Sequence, residues 1–153
     1  MTHSFDVIRR LSGKTIATAE SLTGGGIGAA LTSVPGSSAV YKGGVISYTN
    51  EIKIALLGVS NAALEMYGAV SAPVAEQMAA GVRKLLNVDV AVSVTGLAGP
   101  DGDEFGNPVG TVYIGYHDAL RSVVQHHCFF GNRESVRLQT IEAALALILE
   151  YNS

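Results

Sequence analysis

Between Val88 and Val94 the chain is an almost unbroken apolar run with β-branched residues at alternating positions, the pattern of a strand buried on both faces. Thr15 to Ala19 reads as a second buried strand and Val40 to Tyr48 as a third, the latter following a turn at Val34, Pro35 and Gly36. Val109–Tyr116 and Ser122–Phe130 alternate apolar and polar residues around a turn-like His117–Arg121, which predicts a hairpin. Helical patterning covers 5–11, 24–31, 51–57, 62–67, 74–86 and 134–151; Gly58 separates the third from the fourth, and Ser71 before Pro73 is a plausible cap for the fifth. The succession β-α-β-α-β-β-α predicts an α/β domain with a mixed sheet and helices on both faces, and no linker or repeat interrupts it.

Composition agrees. The 153 residues suffice for one domain with a substantial core, so 1–153 is expected to be a single unit. Apolar residues are 48% and charged residues 15%, with 18 Gly and no Trp, which suits Ala-rich helices packed closely on a sheet. The formal net charge of −3 includes no basic run, so no nucleic-acid partner is expected. No signal peptide or membrane-spanning stretch stands out, and the expectation is a cytoplasmic protein without a membrane partner. The lone Cys128 lies in the apolar run C-F-F and is expected to be a small core residue; one thiol rules out an internal disulfide framework.

Two polar clusters carry candidate chemistry. In A-E-S-L-T-G-G-G, Ser21 ends a strand and precedes a glycine-rich helix start, where backbone N–H groups could hold a developing oxyanion. The bland alternative is that Ser21 or Thr23 caps that helix. In Y-T-N-E-I-K, Lys53 is a candidate base for Ser21, because a serine hydroxyl needs a base beside it. Lys53 must be held neutral for this, and Ile52, Ile54 and Leu56 are the expected source of desolvation. Tyr48 could relay the proton or fix the amine. Alternatively, Lys53 is a solvated charge and Tyr48 a strand-end aromatic.

Other features are weaker. Gly24, Gly26 and Ala29 fit G-x-G-x-x-A, but Ser47 and Tyr48 stand where a dinucleotide fold expects an acidic residue. From Thr95 to Pro100, glycines 96 and 99 would let backbone approach a phosphate or carboxamide, or simply make a tight strand exit. Asp101, Asp103 and Glu104 read as a solvated loop rather than a cation site. Arg133 and Arg137, one helical turn apart, could clamp a phosphate or pair with surface carboxylates. Adjacent His126 and His127 on a strand face opposite ways and do not suggest shared metal ligation.

The words A-E-S-L-T-G-G, Y-T-N-E-I-K, T-G-L-A-G-P and P-V-G-T-V, in that order and followed by Arg133 and Arg137 in F-G-N-R-E-S-V-R, resemble the signature of the CinA C-terminal-domain family. The resemblance covers nearly the whole chain. It implies a three-layer α/β/α build with a mixed, mostly parallel sheet of about five strands, one of them antiparallel. It implies a nicotinamide-nucleotide amidohydrolase that deamidates nicotinamide mononucleotide to nicotinic acid mononucleotide and ammonia. The catalytic residues would be Ser21, Lys53 and Tyr48; the substrate-binding residues would be Thr23, Gly24, Gly25, Gly96, Ala98, Gly99, Arg133 and Arg137. Neither metal nor cofactor is implied. The expected partner is a small nucleotide, and a homo-oligomer is the expected assembly. The family commonly has glycine where Asp103 stands, so a different local turn is expected. Larger members carry an N-terminal domain not seen in this sequence, and its activities are not expected here. The rival reading is a non-catalytic nucleotide- or partner-binding module linked to competence or damage responses.

Overall fold

Strand β1 (Ile16–Glu20) is buried at all five positions because strands flank both its edges and packed cores cover both its faces. The computed structural model describes residues 2–153 and orders five strands β2-β1-β3-β4-β5. Here β2 is Tyr41–Ile46, β3 Val90–Gly96, β4 Thr111–His117 and β5 Ser122–Cys128. β1 runs parallel to β2 and β3, whereas β4 is antiparallel to both of its neighbours, so β4 is the one reversed strand in a three-layer sandwich.

The two faces of the sheet are packed differently, as the two-residue period of a strand allows. Ile16, Val90, Val92, Val94, Val112, Ile114 and Tyr116 turn large side chains toward helices α1 (Thr2–Arg10), α2 (Gly26–Thr32) and α6 (Arg133–Glu150). The other face presents Ala17, Ala19 and Ala91 to α3 (Asn50–Leu57), α4 (Asn61–Tyr67) and α5 (Ala72–Leu86). Small residues let α5 lie close: the Ser93 hydroxyl donates to Ala75 O at 2.6 Å, and a Cβ at Gly115 would stand 2.6 Å from that same carbonyl.

Helix ends follow local chemistry. Ser71 caps α5 by accepting from Val74 N, Thr49 caps α3 from Ile52 N, and Asn132 caps α6 from Ser135 N. Helix α2 begins at Gly26 rather than Gly24, because Gly24 (φ 58°) and Gly25 (φ 98°) are left-handed and continue the turn after β1. Val88 belongs to the core beside α5 instead of a strand, and β3 extends to Gly96. Cys128 is exposed, not part of the core: it ends β5, an edge strand on which residues 126 and 128 both turn outward. No helix among the described residues is long and apolar enough to cross a membrane.

From β1 the chain passes through α2 to β2 on one side, then through α3–α5 to β3 on the other. The strand order therefore reverses at β1, and the loops leaving the carboxyl ends of β1, β2 and β3 open a crevice at that point. Ligands of open α/β sheets bind at such a switch point.

Candidate active site

A cavity of about 470 Å³ occupies this crevice, within the range of small-ligand sites. Each of the three strand exits contributes: Ser21 follows β1, Tyr48 follows β2, and Thr95 to Pro100 span the end of β3 and the loop after it. The first turn of α3 adds Asn50 and Lys53, and the first residue of α6 adds Arg133.

Ser21 is held as an extension of the sheet. Its N–H donates to Val94 O at 3.2 Å and its carbonyl accepts from Gly24 N at 3.1 Å. Its backbone is therefore fixed at the β1 exit, and it does not cap α2, whose N-cap is Gly25 with no side-chain cap bond. The N–H groups of Leu22 and Thr23 have no internal acceptor among the described residues, and Leu22 lines the cavity.

Lys53 is 2% exposed, which is rare for a lysine without a carboxylate partner. Its Nζ donates to Ser47 O at 2.7 Å and stands 3.4 Å from Ser21 Oγ. Burial pulls the amine down from its ordinary value to about 8. The desolvating neighbours differ from those expected from sequence. Ile52 and Leu56 are exposed, and Ile54, one residue on from Lys53 and so pointing another way, packs into the core between α3–α5 and the sheet. Lys53 is buried where residues distant in sequence, Ala69, Val70 and Thr95 among them, line the same cavity.

Tyr48 lines the cavity, but its hydroxyl accepts from Arg133 at 3.0 Å and makes no hydrogen bond to Lys53 or Ser21. The other terminal nitrogen of Arg133 donates to Gly99 O. Arg133 thus bridges the β2 and β3 loops. Arg137, one turn further along, turns inward: its Nε donates to Leu22 O at 2.9 Å and its NH2 to Thr23 O at 3.3 Å. The two guanidiniums do not converge, and Arg137 braces the backbone after Ser21 without lining the cavity.

The glycine-rich turn is also differently used. The Glu20 carboxylate, 2% exposed, accepts from Ile27 N at 2.9 Å and Gly28 N at 3.0 Å, filling the start of α2 with the protein's own anion. Thr23 is buried with its hydroxyl on Glu20 at 2.6 Å, and Gly24 and Gly25 lie outside the main cavity. The G-x-G-x-x-A match therefore has no open helix start to offer a dinucleotide phosphate. Gly96, Ala98 and Gly99 do line the cavity, although a Cβ on Gly96 would strike Val112 and Thr111 O, so that glycine also serves the β3–β4 contact.

Sequence reading missed Thr95, whose buried hydroxyl donates to Ala69 O at 2.8 Å beside the cavity, and also Asn50 and Asp101, which line its open side. Thr95 could have been found from its position at the end of a buried strand; Asn50 and Asp101 gave no signal distinct from loop polarity. The acidic loop does not gather around a point. Asp101 lines the main cavity, while Asp103 accepts from Phe105 N, Asn107 N and Asn107 Nδ2 and so builds its own turn. Burial raises the Asp103 carboxyl, but the hydrogen bonds from Asn107 and Phe105 together outweigh it and hold the group below its ordinary value. No group of three or more His, Cys, Asp or Glu able to hold a metal is present among the described residues.

The family description "CinA C-terminal domain" matches residues 3–152. The chain belongs to the CinA C-terminal-domain family. A CinA-like protein of Thermosynechococcus vestitus is 60% identical over 138 residues, 88% of this chain and 33% of the relative. A CinA-like protein of Rippkaea orientalis is 49% identical over 141 residues, 90% of this chain and 34% of the relative. The chain thus spans about a third of the length of these relatives. Among solved structures, a competence-damaged protein (CinA) superfamily protein of Klebsiella pneumoniae 700603 aligns with a TM-score of 0.95 at 34% identity, covering 97% of this chain and 94% of that one. The competence/damage inducible protein CihA of Agrobacterium tumefaciens aligns at 0.92 and 36% identity, covering 99% and 96%. These likenesses agree with the three-layer fold and its reversed strand.

Proposed function

We propose that this CinA-family domain is a nicotinamide-nucleotide amidohydrolase that converts nicotinamide mononucleotide to nicotinic acid mononucleotide and ammonia. The observation that carries the reading is a lysine amine buried beside a serine hydroxyl, 3.4 Å away, on the floor of a cavity large enough for a mononucleotide. With its pKa near 8, about a tenth of Lys53 is neutral at pH 7, far more than for an ordinary lysine.

In this mechanism Ser21 Oγ forms a bond to the carboxamide carbon as its proton passes to Lys53 Nζ. The carbonyl π pair moves to oxygen, and the free N–H groups of Leu22 and Thr23 are the candidate donors for that oxyanion. As the tetrahedral centre collapses, Lys53 returns the proton to the leaving nitrogen and ammonia departs. Water then attacks the acyl-Ser21 ester, again with Lys53 as base, releasing the acid. The Ser47 carbonyl anchors the amine throughout, since one N–H can stay on it while the remaining lone pair faces Ser21. Arg133, at the open side of the cavity, is the residue proposed to hold the substrate phosphate, in exchange for its bond to Tyr48 or Gly99. Tyr48 is assigned to the phosphate end with Arg133 rather than to the proton relay.

Ammonia release from nicotinamide mononucleotide by purified protein, with Ser21→Ala as the control, tests this directly. Turnover that stays near wild type in Ser21→Ala rejects the covalent route, and nucleotide binding without ammonia release favours the non-catalytic module.

A further inference from the structure

A buried carboxylate precedes Ser21 and has no part in the mechanism above. Both oxygens of Glu20 face donors alone. Oε1 accepts from Thr23 Oγ1 at 2.6 Å and Ile27 N at 2.9 Å; Oε2 accepts from Gly28 N at 3.0 Å and Thr18 Oγ1 at 3.2 Å. Because the Thr18 hydroxyl donates to Glu20, it accepts from Tyr41 at 2.8 Å, extending the network to the edge strand. Room for these groups depends on missing side chains: a Cβ on Gly28 would stand 2.7 Å from the Tyr41 hydroxyl, and one on Gly44 would strike Thr18.

The donors share a topological role. Thr18 and Glu20 lie on β1, Ile27 and Gly28 on α2, and Thr23 in the turn that joins them. Glu20 therefore ties together the strand before Ser21, the turn after it and the helix that follows. A second tether closes the same turn from outside, where Arg137 holds Leu22 O and Thr23 O. Between the two, the backbone that carries the Ser21 side chain and the Leu22 and Thr23 N–H groups is fixed on both sides.

We propose that Glu20 is a positioning residue for the Ser21 nucleophile: its carboxylate sets the turn that aims Oγ at the reacting carbon and the adjacent N–H groups at its oxygen. The proposal rests on the reading of Ser21 as the nucleophile. A carboxylate is required rather than any polar group of that shape. An amide at this position turns an NH2 toward one pair of donors; a threonine hydroxyl can reverse its bond, but the backbone N–H of Ile27 or Gly28 cannot. Glu20→Gln therefore leaves one buried N–H unpaired and relaxes the turn at one corner.

The test measures Ser21 alone and then the reaction. Labelling of Ser21 by a fluorophosphonate, followed by mass spectrometry, reads nucleophile geometry independently of any natural substrate. In Glu20→Gln the labelling rate constant is expected to fall about tenfold or more, and kcat for nicotinamide mononucleotide by a similar factor, with KM changed less than about threefold. The alkaline rise of kcat is expected to keep its wild-type midpoint, since Glu20 neither donates nor accepts the transferred proton. Thr23→Val, which removes one donor and leaves Glu20 in place, is expected to show the same loss in smaller measure; it decides the matter if Glu20→Gln does not fold. Unchanged labelling in the folded variants overturns the proposal, as does a loss confined to KM or a shifted midpoint. Wild-type protein whose Ser21 labels but which releases no ammonia removes the substrate reading alone. Wild-type protein whose Ser21 does not label removes both.

Discussion

The floor and the rim of the cavity follow opposite rules. On the floor, Ser21 and Lys53 are 8% and 2% exposed, each held by backbone from another part of the fold, and burial alone moves the lysine's titration to about 8. At the rim, Tyr48 is 59% exposed and Arg133 is open to solvent, the two meeting through a single hydrogen bond. Reactivity depends on exclusion of water, because only a desolvated ammonium loses its proton near neutrality. Capture of a charged ligand depends on the reverse, a cation still free to exchange partners. The contrast between Arg133 and Arg137 repeats this within one helix: the first faces the cavity and the second fixes backbone.

Removing the floor should have the largest effect. Ser21→Ala and Lys53→Ala are each expected to lower kcat by roughly a thousandfold or more, with the double variant little worse than either, since members of one catalytic unit are not additive. Additive losses would mean that the two residues act separately. If they act as proposed, kcat rises with pH through a midpoint near 8, set by loss of the Lys53 proton, and a pH–rate profile checks this.

The same lysine makes a prediction about stability. Its folded pKa lies below the unfolded one, so between about pH 8 and 10.5 the unfolded chain binds more protons and stability rises with pH. Below pH 8 the buried charge is a standing cost. Lys53→Met is expected to raise stability at pH 7 by roughly 1–3 kcal/mol while abolishing activity, and the gain should shrink as pH approaches 10. Chemical denaturation at pH 7 and 10 measures both; equal gains at the two pH values would place the effect in packing instead of charge.

Smaller effects separate rim from frame. Arg133→Ala is expected to weaken nucleotide binding by roughly ten- to a hundredfold, the value of one charge-assisted contact, and to affect the phosphate-free riboside little. Equal losses for both ligands would assign Arg133 to structure. Arg137→Ala should instead lower stability and kcat together for both ligands, because its partners are Leu22 O and Thr23 O. Tyr48→Phe is expected to change KM only a few-fold, and a large fall in kcat would return Tyr48 to the proton relay. Chelation with EDTA is expected to leave turnover unchanged.

Periodicity was enough to locate the elements, because burial on a strand or helix repeats every two or 3.6 residues and leaves that repeat in the sequence. Hence β3, the β4–β5 hairpin and the long helices α5 and α6 were legible to within a few residues. Ser21, Lys53, Arg133 and the β3 exit were nameable from local motifs. What the motifs did not carry was direction. Ile52, Ile54 and Leu56, its chain neighbours, are the expected source of Lys53's desolvation, whereas Ile52 and Leu56 stay exposed and Lys53 is buried in a cavity lined by segments from elsewhere in the chain. Arg133 and Arg137 are equivalent by spacing, yet the position of α6 against the β1 exit turns one into the cavity and the other onto backbone. Glu20 read as part of a motif, and only the folding of the turn and of α2 onto β1 gathered four donors on its carboxylate. Sequence by itself determined the elements, the family and the residue types available for chemistry; tertiary structure decided which of them are dry, which are paired and which face one another. Solvation and hydrogen bonding depend on atoms brought together across the chain, and those distances are set by the fold.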